Sequence, residues 1–223
     1  MNESTLSPGR HSSSDDGPDR RRRRLIVAVT GASGAVYGVR LLELLREHQL
    51  AETHAIISRG ARWTIREETN LTMRQVADLA DHVYDDQDLS SAPSSGSFRT
   101  DGMLVAPCSI KTLSGIANSY DDNLVVRAAD VSLKERRPLV LLVRETPLHL
   151  GHLRLMVNAA EAGAVIMPPV PAFYSRPQTL DDIVTHTLGR ALDQFGIGLP
   201  KLPRWQGPGR PLEQRADSPA RGD

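Results

Sequence analysis

An arginine and a glutamate stand side by side directly after the apolar stretch Leu139–Val143, with Pro147 close behind them. A guanidinium suits a phosphate ligand because its fork of N–H donors matches the phosphate oxygens. A carboxylate beside it can accept or deliver a proton during a reaction. We therefore interpret Arg144 as a candidate phosphate ligand and Glu145 as a candidate proton carrier. The alternative is a loop in which the two charges only pair with each other.

A glycine-rich turn follows the apolar run Leu25–Thr30 and has the sequence TGASGAVYG over residues 30–38. Such a turn lets the backbone approach a phosphate, and the helix that it opens offers free N–H groups. The glycine spacing is not G-x-G-x-x-G, and the turn lacks the G-K-[ST] end of a triphosphate loop. We interpret it as an anion-binding turn in which Ser33 serves as a cap or a ligand contact. A tight strand-to-helix turn is the alternative.

Two more polar loops follow predicted strands. Ser58 and Arg59 stand where an NAD-dependent enzyme commonly has an acidic residue for the ribose, which favours a mononucleotide instead. Ser109 and Thr112 begin a further helix, where hydroxyls make good caps and can also contact an anion.

The cysteine and two closely spaced histidines give weaker signals. Cys108 is interpreted as a buried structural residue rather than a nucleophile, because no base lies near it in the sequence. His149 and His152 are three residues apart, but no Cys or carboxylate completes a ligand set beside them. We therefore assign no metal to this pair.

The elements that must position these residues alternate between strand and helix. Continuous apolar runs are typical of parallel strands buried on both faces. Such a sheet, covered by helices, is an α/β fold whose ligands bind beyond the carboxyl ends of the strands. The predicted strands are Leu25–Thr30, Thr53–Ser58, Met103–Ala106, Leu139–Val143 and Val165–Met167. The predicted helices are Val36–Gln49, Gly60–Thr69, Met73–Ala80, Leu113–Ala117, Leu124–Arg136, Leu150–Ala162 and Leu180–Phe195.

The length and composition restrict the classes of protein to which the chain can belong. The 223 residues carry 27 Lys and Arg against 27 Asp and Glu, which argues against bulk nucleic-acid binding. One Cys is compatible with a reducing cytoplasm, and no apolar run is long enough to cross a membrane. We predict one domain over residues 25–202, a disordered tail over residues 1–24 and a second tail over residues 203–223. Arg20–Arg24 form either a polyanion patch or, as the neutral net charge favours, a solvated run.

Several segments in order resemble the flavin prenyltransferases of the UbiX type. The resemblance covers most of residues 25–205. It rests on Val29–Ala35 with Tyr37-Gly38, Pro107–Ser109, Arg127–Val131, Leu133–Leu139, Arg144–Pro147, Pro168-Pro169, Phe173-Tyr174 and Leu202–Trp205.

The resemblance implies a three-layer flavodoxin-like Rossmann fold with a parallel sheet and a homododecameric assembly. It also implies a metal-independent enzyme that joins the dimethylallyl group of dimethylallyl phosphate to N5 and C6 of reduced FMN. The product, prenylated FMN, would serve a UbiD-type decarboxylase. The alternatives are an FMN flavoprotein of another activity and a flavin carrier without chemistry. A cysteine-oxidising decarboxylase would need a His early in the first helix, where this chain has none before His48.

The resemblance also assigns roles to individual residues. FMN would contact Gly31, Ala32, Ser33, Gly34, Ser58, Ser109, Ile110, Lys111, Thr112 and Arg144. The dimethylallyl phosphate pocket, built at a subunit interface, would comprise Glu68, Arg127, Lys134, Tyr174 and Arg190. Ser33 and Glu145 would handle protons. Some members carry a Trp facing the prenyl group, and here Leu89 stands at its place, which leaves Phe98, Phe173 and Tyr174 as aromatic substitutes.

Overall fold

The computed structural model describes residues 22–205 and 207. Within them lies one parallel sheet in the order β3-β2-β1-β4-β5-β6. Its strands are β1 Arg24–Val29, β2 Glu52–Ile57, β3 His82–Asp85, β4 Gly102–Cys108, β5 Leu139–Val143 and β6 Val165–Ile166. The helices are α1 Ala35–Glu47, α2 Arg59–Glu68, α3 Met73–Ala77, α4 Ile110–Ala117, α5 Leu124–Lys134, α6 Leu150–Glu161 and α7 Leu180–Asp193. No helix in this part of the chain is long and apolar enough to span a membrane.

Helices cover both faces of the sheet because its central strands are apolar on both sides. One buried cluster joins the sheet to α1, α2, α3 and α7, and a second joins it to α4, α5 and α6. The strands β4 and β5 are buried along their whole length. The predicted three-layer α/β fold with a parallel sheet is confirmed.

The strand β3 is absent from the sequence-based prediction. It has four residues, lies at the edge of the sheet and is mostly exposed, so it lacks the apolar run that marks the other strands. Its pairing with β2 starts at His54 opposite His82 and ends at Ile57 opposite Asp85. The edge strand matters because it brings the next residue, Asp86, to the carboxyl edge of the sheet.

Helix boundaries differ from the prediction by up to three residues. Helix α4 begins at Ile110 rather than Leu113, because the Ser109 hydroxyl accepts a hydrogen bond from the Thr112 amide. Helix α3 ends at Ala77 rather than Ala80.

The topology changes direction between β1 and β4. The chain proceeds outward from β1 to β2 and β3, and then returns to place β4 on the other side of β1. Thr30, buried at the end of β1, joins the two strands: its hydroxyl donates to the Pro107 carbonyl at 2.7 Å and accepts from the Ser109 amide at 2.8 Å. Such a reversal of strand order opens a crevice at the carboxyl edge of the sheet.

The described residues near the predicted domain limits make specific contacts. Strand β1 starts at Arg24, whose amide donates to Asp101 at 2.7 Å. Arg204 pairs with Asp193 at 2.7 Å, and the Trp205 ring packs edge-on against Tyr174. Ordered contacts therefore extend slightly beyond residues 25–202 at both ends. Arg20 and Arg21 lie outside the described residues, as does most of each predicted tail.

We expect Thr30→Val to lower the free energy of unfolding by about 1–3 kcal/mol, because it leaves the Ser109 amide without its acceptor. Urea denaturation measures the loss. Thr187→Val is the matched control, since that buried hydroxyl only donates to the Ile183 carbonyl within α7. If both variants lose the same free energy of unfolding, the hydrogen bonds of Thr30 at the β1–β4 junction contribute no more to stability than an ordinary buried hydroxyl.

Candidate active site

A cavity of about 490 Å³ opens at the carboxyl edge of the sheet. This volume falls within the range of small-molecule sites, about 300–1,000 Å³. The walls come from the loops after β1 to β5, so the cavity occupies the expected place in an open parallel sheet. It is lined by Gly31, Ser58, Arg59, Gly60, Asp86, Gln87, Ser109, Ile110, Lys111, Thr112, Asp122, Asn123, Val125 and Glu145.

Three helix N-termini converge on this cavity. Helices α2, α4 and α5 begin there, capped by Ser58, Ser109 and Asn123. The first-turn amides of a helix have no acceptor inside the helix, and the N-terminus carries partial positive charge. The Asp86 carboxylate accepts a hydrogen bond from the Arg59 amide at the start of α2, and its negative charge offsets part of the positive potential of that helix. The remaining N-termini favour an anionic group such as a phosphate.

The glycine of the first loop also has a packing role. A Cβ atom on Gly31 would lie 2.9 Å from the Cα atom of Gly60, closer than real Cβ contacts. The loops after β1 and β2 therefore touch through bare backbone. This contact closes one wall of the cavity and leaves Gly31 facing it.

The rest of the first loop points elsewhere. Ala32, Ser33 and Gly34 do not line the cavity, and the Ser33 side chain is exposed. The Glu68 carboxylate accepts from the amides of Gly34 and Ala35 at 2.7 and 2.8 Å. A protein carboxylate thus already holds the N-terminus of α1, where the glycine-rich turn suggested a ligand phosphate. The roles of Ser33 and Glu68 in the reaction stay predictions.

The charged pair after β5 divides between two environments. Glu145 lines the cavity and accepts a hydrogen bond from the Thr146 amide at 2.9 Å. Arg144 is half-buried beside the cavity, and its amide donates to the Cys108 carbonyl at 3.0 Å. No ion pair between these two side chains occurs in the described structure. The alternative of a mutually paired loop therefore lacks support, and Glu145 is free to face a ligand.

Cys108 does not have the properties of a nucleophile. Its side chain is fully buried, and burial raises the pKa of its thiol. A thiol kept protonated in this way is a poor nucleophile. The sequence-based interpretation of a structural cysteine agrees with this environment.

The predicted substrate cations lie away from the cavity of their own subunit. Lys134 ends α5, about 15 Å from the cavity end of that helix, and its ammonium contacts Glu135 at 2.6 Å. Arg190 lies on α7, which covers the opposite face of the sheet, and contacts Asp193 at 2.7 Å. One protomer therefore does not bring Lys134 and Arg190 together.

Two further predicted substrate ligands are also held by neighbours within the protomer. Arg127 contacts Asp121 at 3.1 Å and the Ser94 carbonyl at 3.1 Å. The Tyr174 hydroxyl lies 3.0 Å from Nε2 of His186 on α7. Their substrate roles stay predictions.

The aromatic candidates for facing a prenyl group are scattered as well. Phe98 packs edge-on against His54, with the Arg24 guanidinium over its ring. Leu89 and Phe173 are exposed. Within the described protomer, none of these side chains lines the cavity.

Sequence reasoning missed several cavity residues that depend on the edge strand and on α5. Asp86 is buried after β3, and its carbonyl accepts from the Leu124 amide at the start of α5. Asn123 caps the same helix. The signal for Asn123 was present, since an Asn directly before a helix is a common cap. Asp86 needed the unpredicted strand.

The family model and the related sequences that match this chain agree with each other. The family model described as Flavoprotein matches residues 13–189. The flavin prenyltransferase UbiX of Escherichia coli is 63% identical over 186 residues, which cover 82% of this chain and 98% of that protein.

Solved structures agree with these relatives. The crystal structure of AnUbiX (PadA1) in complex with FMN and dimethylallyl pyrophosphate superposes with a TM-score of 0.82 at 48% identity, covering 84% of this chain and 99% of that one. The dodecameric FMN-dependent Ubix-like decarboxylase from Escherichia coli O157:H7 has a TM-score of 0.80 at 53% identity, covering 82% of this chain and all of that one.

Proposed function

The chain belongs to the flavoprotein family and, within it, to the flavin prenyltransferases of the UbiX type, and we propose that its active site is completed by neighbouring subunits. The enzyme synthesises prenylated FMN by joining the dimethylallyl group of dimethylallyl phosphate to N5 and C6 of reduced FMN. The observation that carries the residue assignment is the cavity at the β1–β4 crevice, with Glu145 on its wall.

The residues of the cavity fit FMN. The capped N-termini of α2 and α4 offer amides and hydroxyls to its phosphate, while Gly31 lets the ligand approach the backbone. Ser58, Ser109 and Thr112 supply the hydroxyls. When bound, reduced FMN supplies the two nucleophilic ring positions.

The chain's cations stabilise the leaving phosphate. Breaking the allylic carbon–oxygen bond builds negative charge on the phosphate oxygens, so fixed positive charge there lowers the barrier. Arg144 stands beside the cavity, while Lys134 and Arg190 reach such a site from other subunits. Walls closed by assembly would also exclude water, which otherwise captures the allylic cation.

Glu145 accepts the proton that the reaction releases. Alkylation of C6 releases a proton, and an exposed carboxylate on the cavity wall can accept it. Ser33 lies on the neighbouring loop and is the proposed second participant in proton transfer.

Helix α6 supports the assembly of several subunits. Ala159 is the one buried residue of this twelve-residue helix. Leu150, Leu153 and Val157 are 60%, 45% and 53% exposed and share one face, since they are spaced by three and four residues. An apolar face of this kind marks an interaction surface. A homododecamer, as in the relative of that assembly state, is the proposed form.

The product has a proposed destination. Prenylated FMN would pass to a decarboxylase of the UbiD type, and the cytoplasm is the proposed compartment. A flavin carrier without chemistry would not need a proton carrier facing the cavity, which Glu145 provides.

Purified protein incubated anaerobically with reduced FMN and dimethylallyl phosphate should yield a flavin heavier by one five-carbon unit. Mass spectrometry of the released flavin reads the result. Unmodified FMN under fully reducing conditions would contradict the proposed reaction, and binding of FMN without conversion would favour the carrier.

Replacing Glu145 by Gln should slow turnover by roughly 10²–10⁴-fold, the range of a general acid–base contribution, while FMN binding stays close to that of the wild type. The amide keeps the size of the side chain but cannot take a proton. Glu47→Gln, at the exposed end of α1 and away from the cavity, is the matched control and should leave both measurements unchanged. Parallel losses in turnover and binding would assign Glu145 a binding role instead.

A mixing experiment tests whether the site is shared. Glu145→Gln damages the cavity side and Arg190→Ala damages the α7 side, so each variant alone should be nearly inactive. Co-expressed, the two should recover activity that neither has, because some sites then pair an intact cavity with an intact α7. If both residues served one protomer's site, every subunit would stay damaged and the mixture would be as inactive as its components.

A further inference from the structure

A second cluster of chemically capable side chains lies at the opposite end of the sheet. Glu52 opens β2, and the parallel register places His54 of β2 directly across from His82 of β3. The two imidazole rings stack with centroids 4.6 Å apart. Each of the three residues offers one ligand atom, and these atoms lie within 4.8 Å of one another.

The spacing of these atoms suits a small metal ion. In a tetrahedral zinc site with bonds near 2.0–2.1 Å, neighbouring ligand atoms lie about 3.3 Å apart. Here Oε1 of Glu52 is 3.0 Å from Nε2 of His54 and 3.4 Å from Nε2 of His82. Both separations are near the tetrahedral value, and because the two rings are stacked at 14° to each other, the half-exposed His82 ring must turn for both imidazole lone pairs to meet at one ion.

Outer contacts already orient two of the three ligands. Nδ1 of His54 lies 2.8 Å from the Tyr84 hydroxyl, so its Nε2 is directed towards Glu52. The second carboxylate oxygen of Glu52 accepts from Arg24 at 3.2 Å. Partners of this kind are typical around metal-binding imidazoles and carboxylates. His82 is half exposed and provides the route of entry.

The same contacts limit the affinity. The Arg24 guanidinium balances the charge of Glu52, so the cluster has no net negative charge to offer a dication. A structural zinc site with several thiolates gains far more from charge neutralisation. We expect reversible binding rather than a permanently loaded ion.

We propose that Glu52, His54 and His82 form a binding site for a divalent transition metal ion, with Zn²⁺ as the best fit and a fourth position open to water. Two imidazoles and one carboxylate are a ligand set that zinc accepts. The site is distinct from the reaction cavity: His54 precedes the cavity residue Ser58 by four positions, about 13 Å along an extended strand.

A bound ion would tie the edge strand β3 to β2. Strand β3 is short and mostly exposed, and its pairing is confined to one neighbour. The residues that follow it, Asp86 and Gln87, line the cavity. Metal binding would therefore stabilise the strand that leads into one wall of the active site, without any part in the prenyl transfer.

The test uses untagged full-length protein stripped of metal with a chelator and titrated with Zn²⁺ alone. Calorimetry should give one site per chain. His82→Ala should weaken binding at least tenfold, in line with the loss of one ligand, and it removes a half-exposed side chain that the core does not need. Co²⁺ should give the visible absorption of a tetrahedral site in the wild type and lose it in this variant.

His152→Ala is the matched control, because His149 and His152 form the other close pair of imidazoles, with centroids 3.6 Å apart. This variant should bind Zn²⁺ like the wild type. The proposal is overturned if the wild type binds no Zn²⁺, if His82→Ala binds it equally well, or if His152→Ala removes the binding. Hydrogen exchange gives a second readout: Zn²⁺ should slow exchange of the β3 amides in the wild type and have no such effect in His82→Ala.

Discussion

The junction between β1 and β4 is the constraint on which the active site depends. Thr30 directly follows β1, and its hydroxyl donates to the Pro107 carbonyl while accepting from the Ser109 amide. This pair of hydrogen bonds fixes the spacing of two loops at the point where the strand order reverses. Ser109 is also the cap of α4, so the same contact sets where the positive end of that helix lies. The cavity is thus a consequence of how two strands end.

Cavity residues could be predicted from the sequence where they directly follow a strand that is buried on both faces. Strands β1, β2, β4 and β5 are apolar on both faces, so their runs marked them and the loops after them. Residues such as Ser58 and Ser109 could be placed at the cavity for this reason. The edge strand β3 has one covered side and no apolar run, so Asp86 could not be placed. The role of Glu68 as a ligand of the α1 amides depends on a contact across 33 residues that no local pattern carries.

The position of the cations in the predicted substrate pocket depends on contacts between subunits, which the sequence of one chain does not reveal. Lys134, Arg127 and Arg190 each contact a carboxylate within the protomer. Exposed or partly exposed ion pairs of this kind contribute little to stability, so in the proposed site a dianionic phosphate would replace the carboxylate at small cost. In the proposed assembly, the pairing would also limit repulsion among these cations before substrate binds. In the proposed assembly, a chain that is neutral overall would in this way gather positive charge at one phosphate.

Glu145 lines the cavity at the carboxyl edge of the sheet, whereas Arg190 lies on α7, which covers one face of the sheet, and in the proposed enzyme this separation links catalysis to assembly. A protomer holds the cavity and Glu145 at one edge of the sheet, while Arg190 lies on α7 at a different surface. Helix α6 presents an apolar face that a lone protomer leaves in water. Burying that face stabilises the association of subunits through the hydrophobic effect. In the proposed assembly, the same association would supply each cavity with cations from its neighbours, so the interaction that builds the oligomer would also complete the chemistry.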